Sequence, residues 1–287
     1  MCPTAAWDPN GITFANATTI GNYSRDLFIT TNDRIYSFNQ ENQTILIWFN
    51  GSMKSIEINI TKLRSIFVTN KDEILIGNRE TNGTVHKCVF NSKRCVPVMN
   101  INSSCYDLFV DINDILYCSQ DKLHQVVKKS LTGTEPTPTT AAGTGTNGAS
   151  SKELNRPLGI FVHENLDLYV ADCRNNRVQL FQSKQRNGMT VVGHGSVIPT
   201  VRLSCPTGIV LDLNKYIFIA DGGNNRIVGS GPNGFRCIIG CTGESSQPYQ
   251  LSQPRALSFD SHGNIFVTDR KNKRIQKFNF ISRSCGK

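Results

Sequence analysis

No stretch of the 287 residues approaches the roughly 18 to 20 unbroken apolar residues of a membrane-spanning helix, and the sequence offers no such span. The opening residues, Met1-Cys2-Pro3-Thr4, lack the basic and apolar blocks of a signal peptide, which implies either a cytosolic chain or a secreted one written without its leader. Lys and Arg leave a net charge of +9, yet no run of five or six basic residues reads as a nucleic-acid arm. The dispersed cation suits a solvated basic surface with weak attraction for polyanions. P-loop, GxSxG elbow and Cys/His nucleophile contexts are missing as well, so no familiar nucleotide or hydrolytic motif is present. General disorder is excluded, because 38% of the residues are hydrophobic and only 18% charged, with a mean hydropathy of −0.27.

Cysteine, by contrast, is abundant. Cys2, Cys88, Cys95, Cys105, Cys118, Cys173, Cys205, Cys237, Cys241 and Cys285 form an even set without the CxxC pairs of a zinc site. That combination favours disulfides, and with them an oxidising compartment. Asn-x-Ser/Thr at Asn16, Asn22, Asn42, Asn50, Asn59, Asn82 and Asn102 supports the same expectation of an extracellular or secretory-pathway glycoprotein.

A repeat organises the chain. Leu168-Tyr169-Val170-Ala171-Asp172 aligns with Ile217-Phe218-Ile219-Ala220-Asp221 and Ile265-Phe266-Val267-Thr268-Asp269 at steps of 49 and 48 residues. Degraded copies begin at Ile35, Ile74 and Ile115, making six units. Within each, short β-rich segments alternate with turn residues, and Asn50-Gly51, Asn187-Gly188 and Asn233-Gly234 mark the corner between third and fourth strands. Four antiparallel strands repeated six times predict an all-β, six-bladed β-propeller occupying residues 1–287 as one domain. The last unit stops after its third strand, while residues 10–15 match the fourth strand of unit four. The N-terminal strand is therefore expected to close the ring. Residues 132–151, rich in Thr, Gly, Pro and Ser, read as a flexible surface loop that still contains a fourth-strand remnant at Thr140-Ala141-Ala142-Gly143.

Blade register suggests how the cysteines pair. Cys88 and Cys95 flank a hairpin, Cys105 and Cys118 lie at one face of unit three, and Cys173 and Cys205 occupy loops of adjacent blades. Cys237 and Cys241 would stand about 13 Å apart in an extended strand, so they pair only if Gly240 turns the chain. Cys2 and Cys285 are left for the closing blade.

Three segments carry a family resemblance: Asn155-Arg156-Pro157-Leu158-Gly159-Ile160 through Asp172-Cys173-Arg174-Asn175-Asn176-Arg177-Val178, with its counterparts ending at Asp221 to Ile227 and Asp269 to Ile275, resembles the NHL repeat. The likeness is specific over residues 150–280. Over 20–130 it is weak, with Asn39, Asn78 or Ser119 in place of the Asp and Thr44 in place of the Arg. The resemblance implies a six-bladed propeller that binds proteins or RNA, and related propellers include peptide-amidating lyases. Fold follows from such a likeness better than function does.

Two readings compete for the Asp-x-x-Asn-x-Arg column. Asp and Asn cap turns, and an Arg five residues later bridges carboxylates or loop carbonyls, which makes the column structural. Alternatively Arg174, Arg177, Arg226, Arg270, Lys271, Lys273 and Arg274 form a basic rim that meets an acidic partner. The histidines, His86, His124, His163, His194 and His262, fall at unlike registers and do not predict a metal centre, and no cofactor is implied. The expected function is thus a monomeric, non-catalytic, extracellular binding module for a protein or other ligand. A metal-dependent propeller lyase or hydrolase is the alternative, and an intracellular RNA-binding propeller the third, which sits badly with ten cysteines.

Overall fold

The computed structural model describes residues 5–23, 26–78, 80, 83–89, 94–135, 137–196 and 201–281. Six four-stranded antiparallel sheets follow one another around a ring, each with its first strand innermost. The first strands are Leu27–Ile29, Leu63–Val68, Leu108–Val110, Pro157–Val162, Pro206–Leu211 and Pro254–Phe259. Blade four shows the plan in full: Pro157–Val162, Leu168–Asp172, Arg177–Phe181 and Met189–Gly193. Its second and third strands are buried almost throughout, because both of their faces pack against neighbouring blades; this is why they read as nearly continuous apolar runs. The fourth strand is mostly part-exposed, with only Val192 buried, and meets solvent.

Apolar clusters fill all six seams between neighbouring blades. Tyr36, Phe38, Ile66 and Ile74 join blades one and two, for example, and Phe218, Ala220, Leu257 and Val267 join five and six. Stability therefore resides between repeats more than within them, as in other repeat architectures.

The chain's start completes blade six. Ile12–Ala15 pairs antiparallel with Arg274–Phe278, Ile12 opposite Lys277 and Thr13 opposite Gln276. A second ribbon, Ala6–Trp7 with Phe280–Ile281, lies beside it. Trp7 is 5% exposed, surrounded by Phe218, Phe259 and Phe280 at centroid distances of 5.5, 6.3 and 5.6 Å, and its indole N–H donates to Gly263 O at 2.8 Å. Closure is thus an apolar plug as well as a strand pairing.

Segment 132–151 is partly ordered as sheet: Thr139–Gly143 is the fourth strand of blade three, with Ala142 buried. Four disulfides join Cys88 to Cys95, Cys105 to Cys118, Cys173 to Cys205 and Cys237 to Cys241. The last is possible because Gly240, at φ +74, folds the chain back and brings the two Cα atoms to 5.8 Å. Cys2 and Cys285 lie outside the described residues.

Candidate functional site

In an antiparallel four-stranded blade, the loops between second and third strands share one face of the ring with the blade-to-blade connections. That face carries the repeat's polar signature. Asp172 is fully buried and accepts three hydrogen bonds: from Asn155 N at 2.6 Å, Asn175 Nδ2 at 2.7 Å and Arg177 Nε at 2.8 Å. Asp221 and Asp269 repeat the arrangement with Ser204 N, Asn224 and Arg226, and with Ser252 N, Asn272 and Arg274. Burial pushes all three carboxyls above the ordinary carboxylate range, and these donors pull them back only in part.

The arginines extend the same staple. Arg177 donates through its Nη groups to the carbonyls of Ala149, Ser150 and Glu153, and Arg274 to those of Ser246, Gln247 and Gln250. Arg226 reaches Arg202 O. Each pins a blade-to-blade connection to the blade that follows it. Arg177, Arg226 and Arg274 therefore leave the basic rim expected from sequence; Arg177 is only 7% exposed. Of the other rim residues, Lys271 pairs with Glu244 at 3.1 Å, Arg270 donates to Gln253 Oε1, and Lys273 is exposed. Arg174 turns toward the channel mouth.

The mouth itself adds to Arg174 and Arg270 several basic residues that the expected rim did not include. A funnel of about 730 Å³ is lined by Arg64, Arg156, Arg174, Arg255, Arg270, Lys122 and His124, with Asp121 the lone carboxylate among the described residues. Leu158, Thr207, Gly222, Gly223 and Pro254 supply neutral wall. Arg64, Tyr106, Leu158, Thr207 and Arg255 occupy one register, three residues before the first-strand position held by Phe67, Phe109, Phe161, Val210 and Ser258. Aligning the first strands in sequence would have exposed this column.

Across the throat, blade six meets blade three. Arg255 Nε donates to the Tyr106 hydroxyl at 2.6 Å, and its Cζ lies 4.1 Å from the ring centroid. Arg64 Cζ lies 4.6 Å from the same centroid, while its Nη groups donate to Ser104 Oγ and Asp121 Oδ2 at 3.0 and 3.1 Å. Burial draws the Arg64 guanidinium below its usual range, Asp121 opposes this, and Arg255 adds to it. Beneath the throat is a chamber of about 110 Å³ containing Asp26 and Asp107. Each carboxylate accepts from its own following N–H and from the first strand of the next blade, Ile66 N and Ile160 N, both at 2.8 Å. Desolvation lifts both, Asp107 to about 7. Below them Phe28, Phe67, Phe109 and Phe161 follow one another around the channel at centroid spacings of 4.6, 5.2 and 5.0 Å.

The histidines do not converge, and among the described residues no three His, Cys, Asp or Glu side chains gather as a metal centre would require. His124 instead fixes a loop. At φ 50 it stands where Asn176 stands in blade four, and its Nδ1 accepts from Arg156 N at 3.0 Å as Asn176 Oδ1 accepts from Cys205 N. Asp111, Asp212 and Asp260 cap their own turns on the opposite face, each accepting the N–H groups two and four residues on. The sequon asparagines divide unevenly. Asn16, Asn22, Asn42, Asn59 and Asn102 are exposed on loops of the mouth's face around blades six, one and two, and Asn50 sits in a hairpin on the other face. Asn82 lies outside the described residues.

The NHL repeat family model matches residues 154–181 and 251–278, the two stretches that carry the Asp172 and Asp269 staples. The chain is an NHL-type propeller. No curated protein sequence matches it. Solved structures similar to this NHL-type propeller share its fold at low identity. An auxiliary nutrient binding protein from Bacteroides thetaiotaomicron is 17% identical, with a TM-score of 0.70 over 96% of this chain and 73% of that one. Virginiamycin B lyase from Staphylococcus aureus is 12% identical, with a TM-score of 0.66 over 94% and 99%. A gluconolactonase from Xanthomonas campestris is 11% identical, with a TM-score of 0.65 over 91% and 86%. Binding proteins and enzymes thus share this ring, and the chemistry of the mouth has to decide between them.

Proposed function

We propose that the protein is a secreted, non-catalytic binding module that receives an acidic partner on the face bearing the channel mouth. The observation that carries this reading is the charge of the funnel: five guanidiniums and Lys122 surround an opening that holds one carboxylate. A concave surface of one sign focuses its field and raises the local concentration of oppositely charged ligand. The four disulfides suit an oxidising compartment, and the sequons suit a glycosylated surface. Sequon-bearing loops flank blades six, one and two, leaving the basic loops of blades three to five, with Lys122, Arg156 and Arg174, as the open approach.

Binding of poly-glutamate, an acidic polypeptide probe, to protein purified from a eukaryotic secretion host tests the reading. Affinity is expected to fall steeply with salt, to fall further in the combined Lys122→Glu, Arg174→Glu and Lys273→Glu variant, and to be unchanged by Lys215→Glu on the opposite face. Equal losses from both faces, or salt-independent binding, would refute it.

A further inference from the structure

Arg255 is an unusual group to find unused. It is 8% exposed, so nine-tenths buried, yet only its Nε has a protein partner, the Tyr106 hydroxyl. Its two terminal amino groups meet no acceptor among the described residues, and no carboxylate there lies within 4.0 Å of it. Arg64, 5% exposed, has a buried Nε without a partner in the same throat. The chain does supply acids nearby, but both oxygens of Asp26 and of Asp107 are already committed to backbone N–H groups, and Asp121 is committed to Arg64. A buried guanidinium gives up hydration that only a well-placed, hydrogen-bonded anion can replace. Such a fork is also the geometry that binds a carboxylate, phosphate or sulfate through two parallel N–H donors.

We propose that the throat is a binding site for a single terminal oxyanion, seated on the Arg255 fork beside Tyr106 and presented end-on by a ligand small enough to enter the funnel. The volume above Arg255, about 730 Å³, lies within the range of small-molecule pockets, while the chamber beneath is only about 110 Å³ and is lined by Asp26, Asp107 and the phenylalanines, so the anionic end stops at the throat. Leu158, Thr207 and Pro254 are available to the uncharged remainder of the ligand. This deepens the reading of the mouth as a ligand-binding face, but the two can fail separately.

Calorimetric titration with inorganic phosphate, sulfate, glucuronate and glucose 6-phosphate tests it, the first two arms reporting a free anion and the last two an anion carried on a sugar. At least one probe is expected to bind saturably, with a tenfold or greater loss in Arg255→Met, a smaller loss in Arg255→Lys and none in Lys215→Gln. Hydrogen exchange on the unaltered protein, with and without the bound probe, is expected to show protection at 254–256 and 206–208, which keeps the test independent of whether Arg255→Met folds. The proposal is overturned if no probe binds, or if a probe binds without protecting these segments. It is overturned too if Arg255→Met leaves affinity unchanged while lowering only the melting temperature, since Arg255 would then be a counter-charge to Asp26 and Asp107. Poly-glutamate binding that survives Arg255→Met, with no oxyanion bound, would sink the throat site and leave the face intact; oxyanion binding without poly-glutamate binding would do the reverse.

Discussion

Replacing Trp7 with alanine tests ring closure at its most concentrated point. The indole is 5% exposed, touches three aromatic rings from blades five and six and their C-terminal extension, and donates one hydrogen bond to Gly263 O. Truncating a buried aromatic of this size costs about 3 to 5 kcal/mol, since the surrounding rings collapse only partly into the space. Closure binds the two ends of the chain, so the loss belongs to the whole ring and not to one frayed strand. For a chain of this length, about 4 kcal/mol corresponds to a fall of about 8 to 16 °C in melting midpoint. Urea denaturation of the oxidised protein, followed by far-ultraviolet dichroism, should show a lower midpoint in a single transition. Leu213→Ala, at a fully exposed turn, sets the baseline and should move stability by no more than about 0.5 kcal/mol. A Trp7→Ala loss below about 1 kcal/mol, or a transition split so that blade six melts first, would refute the view that the N-terminal segment holds the ring shut.

Breaking a staple should be as costly: Asp172→Ala leaves Arg177 buried without its carboxylate and is expected to lose about 3 to 5 kcal/mol, and a double-mutant cycle with Arg177→Met should show strong coupling between the two. Acid should stabilise this protein over part of the range. Asp107 titrates at about 7 in the fold and near 4 when unfolded, so between those values the folded state holds more protons and stability falls as pH rises; melting at pH 5 should exceed that at pH 8, and Asp107→Asn should flatten the slope. Replacing Cys173 and Cys205 together by serine removes a link across 32 residues between blades four and five, with an expected loss of about 3 to 4 kcal/mol by chemical denaturation and no change in the other three described disulfides by peptide mapping. Glycopeptide mapping of secreted protein should find glycans on several of Asn16, Asn22, Asn42, Asn59 and Asn102; bare asparagines at all five would remove the case for a shielded half of the mouth's face.

Much of this was legible because it is local. The strands of blades four to six, the Asn-Gly corners, the Gly240 turn between Cys237 and Cys241 and the closing strand at 12–15 follow from side-chain alternation, turn chemistry and a period near 49 residues, all written within a few tens of positions. The staple was half legible. Sequence favoured Arg177, Arg226 and Arg274 as bridges while keeping them in a rim, and did not name their carbonyl partners, because these lie 24 to 28 residues upstream in connections whose path depends on how blades pack.

Composition and period thus determined the blade, the number of blades and the cysteine partners that share a hairpin or a seam, since each is a matter of short-range geometry repeated six times. Tertiary structure decided the mouth. Arg64, Tyr106 and Arg255 come from blades two, three and six, Arg255 and Tyr106 being 149 residues apart, and the register they share does not by itself say that they touch. Only a closed ring sets first strands facing one another across a channel, and only there do scattered basic residues become one field.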